Sequence, residues 1–178
     1  MKLFIATDLH GSAFYTERVI DKFNKSNADM LILLGDVYNH GPRNPLPKDY
    51  APMKVAEMLN AISAKVMSVQ GNCDSDVDQM ISKFPIVPHN IIPLGKRRLF
   101  LTHGHIYNKH SLPMVSQGDV VVYGHFHVND CTVVDGVYCI NVSSASLPKD
   151  TSAYCIIDEQ GATIYDFDDK VILTQQFN

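Results

Sequence analysis

The sequence predicts an α/β (α+β) fold whose second half runs mainly as antiparallel β, with two packed sheets flanked by helices. Three observations carry that prediction. Strand-like and helix-like patterns alternate through about the first 70 residues, the signature of a parallel sheet with crossover helices. Short apolar runs separated by hairpin-type turns fill the remainder. No linker, repeat or composition shift divides the two halves, so residues 1–178 read as a single domain.

The elements follow in order. Lys2–Thr7 is a short apolar run ending at Asp8, the pattern of a buried strand. Phe14, Val19, Ile20 and Phe23 recur at helical spacing and predict a helix over 14–27. Met30–Leu34 is a second buried strand, closed by Gly35-Asp36. A loop with Gly41, Pro42, Pro45 and Pro47 precedes a helix over 52–63, and Val66–Val69 is a third strand closed by Gly71-Asn72. A short helix near 76–84 follows. Strands are then predicted at 90–94, 98–103, 119–124, 131–134, 137–142, 153–158, 162–167 and 171–176, with Asp135-Gly136 and Gln160-Gly161 as hairpin turns.

Composition narrows the class. Apolar residues make up 46% and charged residues 19%, which suits a globular protein and excludes a disordered chain, a collagen-like fibre or a coiled coil. No apolar run approaches the length of a spanning helix. The stretch MKLFIATDLHG has too short an apolar segment for a signal peptide. The four cysteines, Cys73, Cys131, Cys139 and Cys155, form no CxxC pair and are expected as free thiols in the cytoplasm. Net charge is −4. The nearest approach to a basic patch is Lys96-Arg97-Arg98, read as part of a turn, so stable duplex nucleic-acid binding is not expected. A small phosphorylated substrate remains compatible, and a homo-oligomer is left open.

Five short motifs share one property: metal-competent polar residues directly follow a predicted strand. They are Asp8-Leu9-His10, Gly35-Asp36, Gly71-Asn72-Cys73-Asp74, Thr102-His103-Gly104-His105 and Gly124-His125-Phe126-His127. Each alone is weak, because Asp after a strand is usually a cap or turn former, and Gly-Asp and Gly-Asn are common turn signals. His125-x-His127 is stronger, since imidazoles two apart on an extended segment point the same way. Co-occurrence is what lifts the set. In open α/β sheets the carboxyl ends of the strands line the ligand crevice, so five such ends on one edge would gather these groups.

In number and order the motifs resemble those of the calcineurin-like metallophosphoesterase superfamily over about residues 1–150. GDVYNHGPRN, GNCDSDVDQM and LFLTHGH further resemble its small bacterial phosphodiesterases of the YfcE type. The resemblance implies a four-layer α/β/β/α sandwich of two mixed sheets and assigns ligands. Asp8, His10, Asp36 and His127 would hold one metal; Asp36, Asn72, His103 and His125 would hold a second, with Asp36 bridging. Two divalent ions carry +4 and the two aspartates −2, which leaves a net positive site for an anionic diester. The mixed O and N donors, with no thiolate, argue against a structural zinc site. Mn(II) is the metal implied, with Zn, Ni, Co or Fe also able to occupy such a set.

Two departures from the superfamily pattern stand out. Asn141-Val142-Ser143-Ser144 replaces the usual Asn-Pro-Gly-Ser, and because Gly tolerates positive φ where Ser does not, the shape of the 141–150 loop is left open. Cys73 replaces the His of G-N-H-D/E, as in the YfcE-type subgroup, so the usual proton donor to the leaving group is missing. The expected activity is divalent-metal-dependent hydrolysis of small or activated phosphodiesters, in which a metal-generated hydroxide attacks phosphorus. Asp36, Asn72, Cys73, Asp74 and His103 are the catalytic candidates, and Arg43 and His105 the candidates for phosphate contact. The alternatives are a protein-binding scaffold on the same fold, as in a retromer subunit, or a phosphomonoesterase or dinucleotide polyphosphate hydrolase. A scaffold would be free to lose ligands, and this chain keeps all seven.

Overall fold

A computed structural model describes all 178 residues. The strands are β1 Leu3–Ala6, β2 Met30–Leu33, β3 Val66–Val69, β4 Ile86–Val87, β5 Asn90–Leu94, β6 Arg97–Leu101, β7 Val120–Tyr123, β8 Asp130–Val134, β9 Val137–Asn141, β10 Ala153–Ile157, β11 Gly161–Asp166 and β12 Val171–Gln176. The helices are α1 Ala13–Ser26, α2 Pro52–Ala61 and α3 Asp76–Ile81. Two mixed sheets result, ordered β12-β11-β10-β1-β2-β3-β4 and β5-β6-β7-β9-β8.

Alternation along the strands builds the layers. Leu3 and Ile5 of β1 point into a core between the sheets, together with Ile32, Leu99, Leu101, Val120, Val122 and Ile140. Phe4 and Ala6 point to the opposite face, where Leu31 and Leu33 meet Val19 and Phe23 of α1 and Val55 and Leu59 of α2. Ser12 caps α1 by accepting the Tyr15 N–H, and Asn27 ends it in the left-handed conformation. Phe100, Val121, Tyr123 and Cys139 form a third cluster on the outer face of the smaller sheet, covered by Tyr107, Leu112 and Val115. The two-sheet sandwich is therefore present with helices over the larger sheet, while the second helical layer of the expected α/β/β/α order is replaced by coil from the β6–β7 connection.

The predicted elements recur with shifts at their ends. The 52–63 helix stops at Ala61 and hands over to a 3₁₀ turn at Ser63–Lys65. The 76–84 helix ends at Ile81, and the chain then forms the two-residue strand β4. The second half is mainly antiparallel, but its centre is not: β6 pairs with β7, and β7 with β9, in parallel. The signal was absent because the β6–β7 crossover carries no helix. Lys96-Arg97-Arg98 is not a free basic turn. Arg97 and Arg98 belong to β6, where Arg97 Nη2 donates to the Asn178 oxygen at 2.6 Å and Arg98 Nη2 to Asp119 at 2.6 Å.

β1–β4 run parallel and so do β6, β7 and β9, and the bonds from His103 Nδ1 to the Leu34 carbonyl and from the His125 N–H to Asp8 bring the carboxyl ends of both sets to one edge of the sandwich. That edge is where the five motifs emerge.

Candidate metal centre

Asp8 and His10 follow β1, Asp36 follows β2, Asn72 follows β3, His103 follows β6, and His125 and His127 follow β7. Asp8, His10, Asp36, His125 and His127 all adopt positive φ, between 48° and 68°, and account for five of the nine non-glycine residues that do so. Such conformations are sparsely populated and persist only where the surroundings enforce them. Left-handed turns at the strand ends swing these side chains back into a common cavity. The glycines of the motifs serve close approach. A Cβ on Gly71 would collide with the Asp36 carboxylate, and one on Gly124 with the Thr7 hydroxyl and, at 2.6 Å, with Asp8 Oδ2.

Two groups of donor atoms converge. In the first, His127 Nε2 lies 3.1 Å and His10 Nε2 3.5 Å from Asp8 Oδ1, and the two Nε2 atoms are 3.3 Å apart. In the second, His103 Nε2 lies 3.1 Å from Asn72 Oδ1, 3.2 Å from His125 Nδ1 and 3.4 Å from Asp36 Oδ2. Asp36 Oδ2 is also 3.9 Å from His10 Nε2, so it stands between the groups.

The far ring nitrogens set which atom faces inward. His10 Nδ1 bonds to the Asn39 carbonyl at 2.8 Å, His103 Nδ1 to the Leu34 carbonyl at 2.7 Å and His127 Nδ1 to the Leu147 carbonyl at 2.6 Å. A carbonyl only accepts, so each Nδ1 carries a proton, and in the neutral ring, the form that binds a cation, each Nε2 presents a lone pair. Lone pairs that face one another at about 3 Å beside buried carboxylates fit a shared cation. The donor set matches a divalent metal of the borderline kind.

The electrostatics of the protein alone agree. Burial opposes ionisation of Asp8, but His103, His10 and His127 outweigh it and hold its pKa well below the usual value. Asp36 is likewise lowered against burial, chiefly by His103. Burial disfavours charge on His103, yet Asp8 and Asp36 raise its pKa to about 9. His125, desolvated and next to His103, drops to about 4. The two carboxylates thus draw positive charge into this cavity.

The remaining site candidates divide. Arg43 and Cys73 line a cleft of about 700 Å³ above the donor groups, together with Asn72, His125 and His127. His105 is exposed, its ring 5.4 Å from that of His103, and does not line the cleft. Burial and Asp36 push the Cys73 thiol up to about 12. Asp74 is buried and turned to the backbone. It accepts N–H bonds from Asp36 at 2.7 Å, Val37 at 2.9 Å and Gly71 at 2.7 Å, tying the ends of β2 and β3 together. Burial nevertheless pushes its pKa up to about 6.

The loop after β9 contains no positive φ, so Ser143 and Ser144 fit it without strain. Ser144 and Ser146 donate to the Asp8 carbonyl at 2.8 and 2.9 Å, which pins the left-handed turn. Asn39, Asn44, Phe126 and Lys149 also line the cleft. Sequence reasoning did not single them out, because Phe126 carries no metal-competent group within its motif, Asn39 and Asn44 read as loop residues after Asp36, and Lys149 lies outside the motifs.

Residues 1–162 match the calcineurin-like phosphoesterase superfamily domain, and the chain belongs to that superfamily, a family of metallophosphoesterase hydrolases. Among individual proteins, it is 47% identical to Phosphodiesterase YfcE of Escherichia coli K12, over 98% of this chain and 97% of that protein. The solved structure of that Escherichia coli phosphoesterase superposes over 100% of both chains with a TM-score of 0.96 and 45% identity. Vacuolar Protein Sorting 29 from Cryptosporidium parvum shares the fold at 18% identity, with a TM-score of 0.66 over 99% of this chain and 97% of that one.

Proposed function

We propose that the chain is a divalent-metal-dependent phosphodiesterase acting on small or activated phosphodiesters at a dinuclear centre. The observation that supports this is the pair of donor groups with Asp36 between them, on the floor of a cleft lined by Arg43. Likeness to Phosphodiesterase YfcE supports the diester as substrate. Asp8, His10, Asp36 and His127 would hold one ion, and Asp36, Asn72, His103 and His125 the other, Mn(II) being the first candidate. Such a pair supplies Lewis acidity and a water that is nucleophilic at neutral pH.

The chain's own residues do the rest. Arg43, on the wall of the cleft, binds anionic groups of the substrate there. Asp74 acts as a positioning residue through the backbone of Asp36 and Gly71. His105 contributes from the rim at most. Residues 1–178 work as one domain. No helix is long and apolar enough to cross a membrane, and all four cysteines are free, which supports a reducing, cytoplasmic setting.

The reading is tested with bis(nitrophenyl) phosphate. Metal-stripped protein should be inactive, and added Mn(II) should restore hydrolysis. Full activity in the stripped protein would overturn the reading.

Cys73 yields a second prediction. A positioned general acid contributes about 10²–10⁴-fold when the leaving group needs a proton. A thiol is a poorer donor than an imidazolium, so the wild type should favour aryl over alkyl leaving groups. Cys73→His should raise kcat/KM on the order of tenfold for the most basic leaving groups and little for nitrophenyl esters. The measurement is kcat/KM across diesters graded by leaving-group pKa. Loss of activity in the variant with metal content unchanged would contradict it.

A further inference from the structure

The walls of the cleft carry two basic side chains against one acidic one. Arg43, on the loop after β2, and Lys149, on the loop after β9, both line it. Neither belongs to any ion pair of the chain. Asp150, the acid next to Lys149, is already engaged, accepting N–H bonds from Asn129 at 2.7 Å and from Thr151 at 2.6 Å. Asp36 is the sole acidic residue in the cleft lining, and it faces the imidazoles of the donor groups.

Both cations ride on backbone tied to those groups. The Lys149 N–H donates to the His127 carbonyl at 2.8 Å, and the Leu147 carbonyl two residues earlier holds His127 Nδ1. On the other side, Asn39 holds His10 Nδ1 through its carbonyl and the Gly41 N–H through its side-chain oxygen at 2.9 Å, which anchors the start of the segment leading to Arg43. Two loops from different sheets therefore bring an exposed arginine and an exposed lysine to the walls of one cleft, on backbone tied to the imidazoles. A cleft of about 700 Å³ is large for one phosphoryl group and suits a ligand of drug or nucleotide size. Arginine offers a planar fork for phosphate oxygens and lysine a mobile point charge, a pairing suited to a dianion.

We propose that Arg43 and Lys149 form a second anion subsite, and that the substrate is a phosphodiester one of whose ester arms carries a further phosphate-like group. This rests on the phosphodiesterase reading and adds the class of substrate to it. The diester phosphorus sits over the donor groups, and the additional anion reaches the two cations at the wall.

The test compares ethyl nitrophenyl phosphate with phosphonoethyl nitrophenyl phosphate, which share the leaving group and the scissile bond and differ by one dianion. The wild type should prefer the phosphonoethyl ester by about tenfold in kcat/KM, mostly through KM. Added salt should erode the preference. Lys149→Met and Arg43→Met should each narrow it to about threefold or less, Lys149→Arg should keep it, and Lys149→Glu should reverse it. Calorimetric titration of the same preparations with ethylphosphonate and with ethane bisphosphonate gives a readout apart from turnover. The bisphosphonate should bind more tightly to wild type, and that advantage should shrink in Lys149→Met. Equal kcat/KM for the two esters in wild type, or a preference untouched by both methionine variants, overturns the proposal. If no diester is hydrolysed while the bisphosphonate preference persists, the phosphodiesterase reading fails and the subsite stands.

Discussion

Asp36→Asn should abolish most activity while leaving the fold intact. Asp36 Oδ2 stands between the two donor groups, 3.4 Å from His103 Nε2 and 3.9 Å from His10 Nε2. Losing even an outer partner of a metal ligand costs about 10–100-fold in affinity or activity. A residue shared by two sites should cost that much at each, so the expected loss is about 10²–10⁴-fold. The fold should survive because asparagine keeps a carbonyl oxygen to accept the Cys73 N–H, now held by Asp36 Oδ1 at 2.8 Å. It does remove a carboxylate that His103 holds ionised below its usual pKa, an interaction that outweighs repulsion from Asp8. Metal-free Asp36→Asn should therefore melt somewhat below metal-free wild type while still unfolding cooperatively. Metal content and kcat/KM measured beside His10→Ala decide the matter. Wild-type activity in Asp36→Asn together with loss in His10→Ala would remove Asp36 from its shared role.

Asp74→Ala should be the most damaging change to stability among the motif residues. Its carboxylate satisfies three buried backbone N–H groups, those of Asp36, Val37 and Gly71. A buried donor left without a partner costs about 1–3 kcal/mol, and the three together should cost roughly 3–5 kcal/mol. That is a large share of the 5–15 kcal/mol that holds a typical domain together. For a domain near this size it corresponds to a fall of about 10–15 °C in Tm. Asp74→Asn should cost less, since its one oxygen can replace Oδ2 for Asp36 and Gly71, leaving Val37 unpaired. Thermal melts of the three proteins without metal give the order. If Asp74→Ala melted with wild type yet lost activity, Asp74 would act on substrate rather than through the backbone.

The site was legible in sequence because its geometry demands unusual residues. Carboxylates that approach backbone closely require Gly71 and Gly124, and left-handed strand ends favour Asp and His, so glycine-flanked acids and histidines recur in a readable order. The carbonyls of Leu34, Asn39 and Leu147, which orient three of the imidazoles, carry no such mark, because any residue supplies a carbonyl. Lys149 reaches the cleft through a loop whose course depends on tertiary contacts with His127. The helices and most strands followed from apolar spacing. The parallel pairing of β6 with β7 did not, because a coil crossover lacks the helical period that usually announces it, and β4 is too short to show a period.

The central claim is that two groups of donors, joined by Asp36, hold two metal ions that act together. Elemental analysis of stripped protein titrated with Mn(II), with activity followed at each step, tests it most directly. The account predicts that activity rises until two equivalents are bound per chain, and that Asp36→Asn lowers occupancy at both. Full activity with one tightly bound equivalent, and no further activation by a second, would contradict it.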